Sequence, residues 1–219
     1  MNVLILGATG MVGQGVMREC LLDGGVARVV TLGRRATGAA NSKVRELVHA
    51  DLFHLAPIEQ ELARLDACFY CLGATAAGKS EAEYAWINYD MTLAVAETLA
   101  RVDPDMTFIY VSGMGTDSTE RGRTMWARVK GRTENALLRL PFKAAYMLRP
   151  GIILPMHGIK SRTTLYRVFY SLMTPLYPAL RALFPRAITT TEQLGQVMLR
   201  LARSGYSKPV LESADIASL

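Results

Sequence analysis

The sequence predicts an α/β fold: one doubly wound parallel sheet with helices on both faces and a small C-terminal helical cap. Three observations carry this. Short apolar runs alternate with longer segments of helical spacing, and strands joined through helices pair in parallel by right-handed crossovers. The first runs are apolar at nearly every position, as strands covered on both faces must be. A chain of 219 residues, half of them apolar, can bury roughly 70% of its unfolded surface in one core, so residues 1–219 are expected to form a single domain.

The elements follow in order. Asn2-Val3-Leu4-Ile5-Leu6 is the first strand and runs directly into Gly7-Ala8-Thr9-Gly10-Met11-Val12-Gly13. Met11 to Leu22 has helical spacing, as do 81–101 and 125–138, while apolar runs at 29–32, 44–48, 67–72, 108–111 and 144–148 supply five more strands. Ile188-Thr189-Thr190-Thr191-Glu192 reads as a threonine-capped helix start before 194–202. Residues 155–187 are assigned to a cap, lid or interface segment. Within it, 165–184 is apolar over a membrane-spanning length but is interrupted by Arg167, Pro175, Pro178 and Arg181, which argues against a spanning helix. A lid over an apolar ligand, a homodimer interface, a membrane-surface contact and plain core packing all remain open for it.

Composition narrows the function. The net charge is +6, yet Lys and Arg are spread along the chain and aromatics do not interleave with them, so no nucleic-acid partner is expected. Cys20, Cys68 and Cys71 are too few for a disulfide framework and suit a reducing compartment. Cys68 and Cys71 have redox spacing, but on one strand they point to opposite faces, so buried thiols are expected. The N-terminus carries neither a basic leader nor a cleavage site, and a cytoplasmic protein is expected. His49, His54 and His157 lack the spacing of a metal pair, and no metal is expected.

In a parallel sheet the ligand sits at the carboxyl ends of the strands. Glycines at 7, 10 and 13 let the chain turn sharply, bring amides near a pyrophosphate and start a helix packed on the sheet. Some twenty residues on, where an acid would take a ribose 2′-hydroxyl, the chain has Gly33-Arg34-Arg35 and no carboxylate before Glu46. Two guanidinium groups suit a 2′-phosphate, so NADP(H) is expected in preference to NAD(H). A solvated basic loop is the plainer alternative.

Gly7-Ala8-Thr9-Gly10-x-x-Gly13 resembles the extended and atypical branches of the short-chain dehydrogenase/reductase superfamily, most of all its small epimerase-like members. The resemblance covers most of residues 1–153 and implies a Rossmann fold that binds NAD(P). It implies cofactor contacts from Gly7, Thr9, Gly10, Met11, Val12 and Gly13. Asp51 and Leu52 would meet adenine, Cys71, Leu72 and Gly73 would pass the adenosine ribose and pyrophosphate, and Pro150, Gly151 and Ile152 would hold the nicotinamide carboxamide. Read without it, Asp51 is as readily a surface carboxylate and Gly73 a plain turn glycine.

The same family uses a serine closing the fifth strand, then a tyrosine four residues before a lysine. Here Ser112 and Lys130 match the outer members, and Lys130 is also expected to contact the cofactor, but the middle position is Trp126. An indole N–H can donate a hydrogen bond but does not supply a proton near neutral pH. Three readings stand: Tyr110, Tyr84, Tyr89, Asp117 or a water moves the proton; Ser112 and Lys130 hold a cofactor in a sensor or scaffold; or Lys130 is a surface lysine. Asn88 resembles a family position that stabilises the site, and Asp117 to Glu120 form a loop within reach of a polar substrate. The expected function is an NADP(H)-dependent oxidoreductase or epimerase-like protein acting on a small-molecule carbonyl or sugar-nucleotide-like substrate. A non-catalytic NADPH-binding sensor is the alternative.

Overall fold

The computed structural model describes residues 1–159 and 186–219. The apolar stretch 165–184, and with it most of the expected cap at 155–187, lies outside the described residues. The chain runs through β1 (Asn2–Leu6), α1 (Met11–Leu22), β2 (Arg28–Gly33), β3 (Val44–Val48), a 3₁₀ segment (Ala56–Leu62), β4 (Ala67–Tyr70) and α2 (Glu81–Ala85). A π-helical turn (Trp86–Asp90) then leads into α3 (Met91–Val102), β5 (Thr107–Val111), α4 (Met125–Leu137), β6 (Ala144–Arg149) and β7 (Ile152–Leu154). After the gap come β8 (Ile188–Thr190), α5 (Thr191–Ser204), β9 (Val210–Glu212) and α6 (Ser213–Ser218).

Seven strands form one sheet in the order β3-β2-β1-β4-β5-β6-β9, and every pairing is parallel. The strand order reverses between β1 and β4, which opens a crevice at their carboxyl ends. Register levels that rim: Leu6 lies beside Leu32 and Tyr70, and Tyr70 beside Tyr110. The residues after β1, β2, β4 and β5 therefore emerge together. Strands β7 and β8 make a separate parallel pair.

Alternation along the strands builds two cores. Val3, Ile5, Phe69, Ile109 and Leu148 pack with Val16 and Cys20 of α1 and Leu194 and Met198 of α5. On the other face Leu4, Leu6, Tyr70, Phe108 and Tyr110 pack with Val95 and Leu99 of α3 and Leu137 of α4. Each fully buried Leu or Phe contributes about 1.5–3 kcal/mol, so sandwiching the sheet between both layers is the main stabilising term. Cys68 belongs to the second core and Cys71 packs against the first. All three cysteines are free, and burial pushes the Cys20 thiol up to about 12 and those of Cys68 and Cys71 higher still. These are packing thiols with little thiolate character.

The expected helix at 81–101 is one rod with a change of pitch at the π-helical turn, and β4 ends at Tyr70 rather than at residue 72. Thr190 caps α5, its side chain accepting from the Gln193 amide at 3.0 Å. Among the described residues no helix is long and apolar enough to cross a membrane.

Candidate functional site

The glycine turn is shaped by contact. Gly7 has φ +82°, and a Cβ there would lie 2.7 Å from the Cys71 carbonyl carbon, so both its backbone conformation and its neighbour across the crevice require glycine. A Cβ on Gly13 would fall 2.1 Å from the Gly7 oxygen, and its absence lets α1 start flush against β1. The Gly10 amide donates to the Gly7 oxygen at 2.8 Å, and the Gln14 side chain donates to the Thr9 oxygen at 3.1 Å. Gly10 caps α1 with no side-chain acceptor, and the first turn holds no acid. Its leading amides and the positive end of the helix dipole are thus left for an anion.

Beside this turn lies an open cleft of about 390 Å³, lined by Val12, the loop from Cys71 to Ala77, Tyr84, Val111, Ser112, Trp126 and Lys130. Trp126 and Lys130 stand one turn apart on α4 and both face the cleft, as four-residue spacing requires. Lys130 is buried. Its Nζ donates to the Val111 oxygen at 3.3 Å and lies 4.8 Å from the centre of the Tyr110 ring. Burial lowers its pKa to about 8, partly opposed by the charge of Glu134. This excludes the surface-lysine reading. Ser112 donates its hydroxyl to the Leu148 oxygen at 3.0 Å, which leaves Oγ as an acceptor toward the cleft.

Asn88, fully buried in the π-helical turn, ties the cleft loop to the helix. Its Oδ1 accepts from the Ala74 amide at 3.2 Å, and its Nδ2 donates to the Tyr84 oxygen at 3.0 Å. A Cβ on Gly73 would lie 3.2 Å from that Oδ1 and 3.6 Å from Lys130 Nζ, so a larger residue would narrow the floor.

Arg34 and Arg35 are exposed on the loop after β2. Glu46, the first carboxylate after Arg35, is already engaged: its Oε1 accepts from the Thr37 amide at 2.7 Å, the Gly38 amide at 3.1 Å and the Thr37 hydroxyl. The Thr37 hydroxyl, with these amides, holds Glu46 below the usual carboxylate range. Glu46 therefore shapes the arginine loop instead of competing with it.

Other expected residues sit elsewhere. Asp51 closes its own turn, accepting from the Phe53 amide at 2.9 Å and pairing with His54 at 2.8 Å, while Leu52 is buried in the second core. The amide of Gly151 donates to Ser213 Oγ at 3.3 Å, and that of Ile152 to the Ala187 oxygen at 3.0 Å. Both amides are engaged within the chain, because β8 returns alongside β7 and takes the Ile152 amide. Pro150 accepts from the Met114 amide at 2.8 Å.

The structure also sorts the proposed proton carriers. Tyr110 is fully buried behind Lys130, with no hydrogen-bond partner for its hydroxyl among the described residues. Tyr89 lies under the Arg132 guanidinium, 3.8 Å from the ring centre. Asp117 braces its loop, accepting from Thr119 Oγ1 and the Gly122 amide, both at 2.7 Å, and the Thr119 hydroxyl holds it below the usual carboxylate range. Tyr84 alone of the four lines the cleft. Sequence spacing gave no sign of this, since Tyr84 enters from α2, a different helix from that of Trp126 and Lys130.

Comparison with known proteins fixes the family. The model of the NAD dependent epimerase/dehydratase family matches residues 3–122, a stretch holding the glycine turn, the arginine loop, the floor of the cleft and Ser112. The chain belongs to this family. It is an NAD(P)-binding Rossmann protein of the short-chain dehydrogenase/reductase type. Protein fmp52, mitochondrial, of Emericella nidulans is 31% identical over 159 residues, 69% of this chain, and the match spans 66% of that protein's length. Protein FMP52, mitochondrial, of Eremothecium gossypii is 28% identical over 228 aligned positions, covering 100% of this chain and 97% of the relative. Among solved structures, the dTDP-glucose 4,6-dehydratase DesIV of Streptomyces venezuelae, with NAD and TYD bound, superimposes with a TM-score of 0.70 at 14% identity, over 97% of this chain and 75% of that one. That likeness shows the fold. The cytoplasmic expectation is corrected by the relatives' names, which are mitochondrial; a leader judged on the first few residues was a poor guide to compartment.

Proposed function

We propose that the protein binds NADP(H) across the glycine turn and the cleft, and acts as an oxidoreductase or epimerase-like enzyme on a carbonyl or sugar-nucleotide-like substrate. The observation that carries this is Lys130: a buried ammonium opening into a cleft whose other wall is the uncapped start of α1. The residues fit such a dinucleotide, because Gly7, Gly13 and Gly73 leave the space that side chains would fill. Bound there, the nicotinamide would supply or accept a hydride. The α1 amides would hold pyrophosphate oxygens, Lys130 would hold ribose hydroxyls, and the turn at Asp51 and Leu52 would border adenine. Ser112 Oγ would accept from a substrate hydroxyl. A second reading, an NADPH-binding sensor, is favoured by Trp126, whose indole stands in the cleft and transfers no proton.

Arg34 and Arg35 support the choice of phosphate-bearing cofactor, since charge-assisted contacts contribute about 1.5–3 kcal/mol each. Titration of the protein with both reduced cofactors is expected to give NADPH an affinity at least about tenfold above that of NADH. Replacing both arginines by alanine should remove that gap and leave NADH binding unchanged. Tighter binding of NADH by the unaltered chain would reverse the assignment.

A further inference from the structure

The cleft has Trp126 at the position of the family's tyrosine and carries a different tyrosine, Tyr84, from the neighbouring helix α2, which Glu81 and Arg128 join to α4. Of its lining groups with a transferable proton, Ser112 donates to Leu148, Lys130 donates to Val111, and Cys71 is a packed thiol. Thr75 Oγ1 accepts from the Ala77 amide at 3.3 Å. Tyr84 differs from all of these. Its residue is 3% exposed and lines the cleft, and its hydroxyl makes no hydrogen bond among the described residues.

Its backbone is held firmly. The Tyr84 amide donates to the Ser80 oxygen at 3.0 Å, inside a capping box formed by Ser80 and Glu83, and the Tyr84 oxygen accepts from Asn88. The Tyr84 hydroxyl is not among the buried polar atoms left without a partner, a condition that among the described residues Tyr110 meets, so on the cleft lining it is open to a ligand or to water. Its rigid mounting also meets the positional demand on a group that must reach one substrate atom.

We propose that Tyr84 is the proton donor of the reaction, supplying from α2 the proton that the position of Trp126 on α4 cannot. The proposal rests on the oxidoreductase reading. As a substrate carbonyl carbon accepts hydride from the reduced nicotinamide dinucleotide, the C=O π pair moves to oxygen, and that oxygen takes the phenolic proton of Tyr84. The carbonyl is reduced to an alcohol, the dinucleotide is oxidised, and the phenolate regains its proton from water entering the open cleft. In the reverse direction the phenolate takes the alcohol proton. Burial pushes the phenol up to about 12, so at neutral pH it holds its proton, although a pKa nearer the working pH transfers a proton more readily.

The test compares the unaltered chain with Tyr84→Phe, which keeps the ring in its packing. NADPH affinity, reduction of para-nitrobenzaldehyde by NADPH, and binding of benzamide, an unreducible carbonyl, to the NADPH-loaded protein are measured for both. NADPH affinity is expected to stay within about twofold. Aldehyde reduction should fall by about a hundredfold and benzamide affinity by about tenfold, the second readout needing no turnover. Equal benzamide affinity and equal reduction in the two proteins would overturn the role of Tyr84, as would an unaltered chain that binds NADPH and neither reduces the aldehyde nor binds benzamide. Failure of the unaltered chain to bind NADPH would instead remove the cofactor reading beneath it.

Discussion

Arg149→Met is expected to destabilise the fold by about 3–5 kcal/mol, the range for removing one member of a buried ion pair. Arg149 closes β6 and gathers three separate parts of the chain. Its Nε donates to both carboxylate oxygens of Glu134 at 3.1 Å, its Nη1 to Glu212 at 2.8 Å and its Nη2 to Ser118 Oγ at 2.5 Å. A further contact joins Nη2 to Glu134. The two glutamates are not equivalent. Glu134 has a side chain only 1% exposed, whereas that of Glu212 is 51% exposed, so the second pair is screened by solvent and contributes little.

Methionine would fill much of the arginine's volume but leave the Glu134 carboxylate buried without its cation. Urea unfolding should show the loss as a lower midpoint with an unchanged slope. The pair Arg149→Met with Glu134→Leu removes both charges and should recover most of the stability. If the single change lowers the unfolding free energy by less than about 1 kcal/mol, the pair is not the brace described. The same network fixes the loop beside Ser112 through Ser118, so the double variant should fold yet hold that loop less firmly.

This network marks the boundary of what the sequence discloses. Strands such as Val3 to Leu6 announce themselves because burial on both faces forces continuous apolarity, and the glycine turn does so because its spacing has one steric meaning. Lys130 and Trp126 could be placed together from the 3.6-residue period of a single helix. Arg149, Glu134 and Glu212 come from three elements that meet through sheet order, and no local pattern ties them. The same holds for β7, β8 and β9, each three residues long and too short to show a period. Gly151 also has a packing reason that no local pattern shows: its missing Cβ makes room for the chain at Ala187, only 2.2 Å from where that atom would sit. Tyr84 was one of several candidate hydroxyls until the fold brought α2 beside α4 at the cleft.

Lys130→Met should show the opposite sign to Arg149→Met: a more stable protein that binds NADPH more weakly. The folded-state pKa of Lys130 is depressed from 10.5 to about 8, because burial disfavours the ammonium more than Glu134 favours it. Between pH 8 and 10.5 the unfolded chain holds the proton more tightly than the folded one, so folding gains stability as pH rises through that window. Below pH 8 the full penalty is present in the native chain, on the order of 3 to 3.5 kcal/mol at about 1.4 kcal/mol per pKa unit. The methionine variant escapes it, and its advantage in urea midpoint should be largest at pH 7 and shrink toward pH 10.5. An advantage that is absent at pH 7, or constant with pH, would show that the ammonium is not held at a cost. Its affinity for NADPH should fall by about tenfold, since a charged donor to the ribose is lost. A side chain that lowers stability and whose only protein hydrogen bond among the described residues is to the Val111 carbonyl fits a group held ready for a ligand, and comparing the two titrations separates that role from packing.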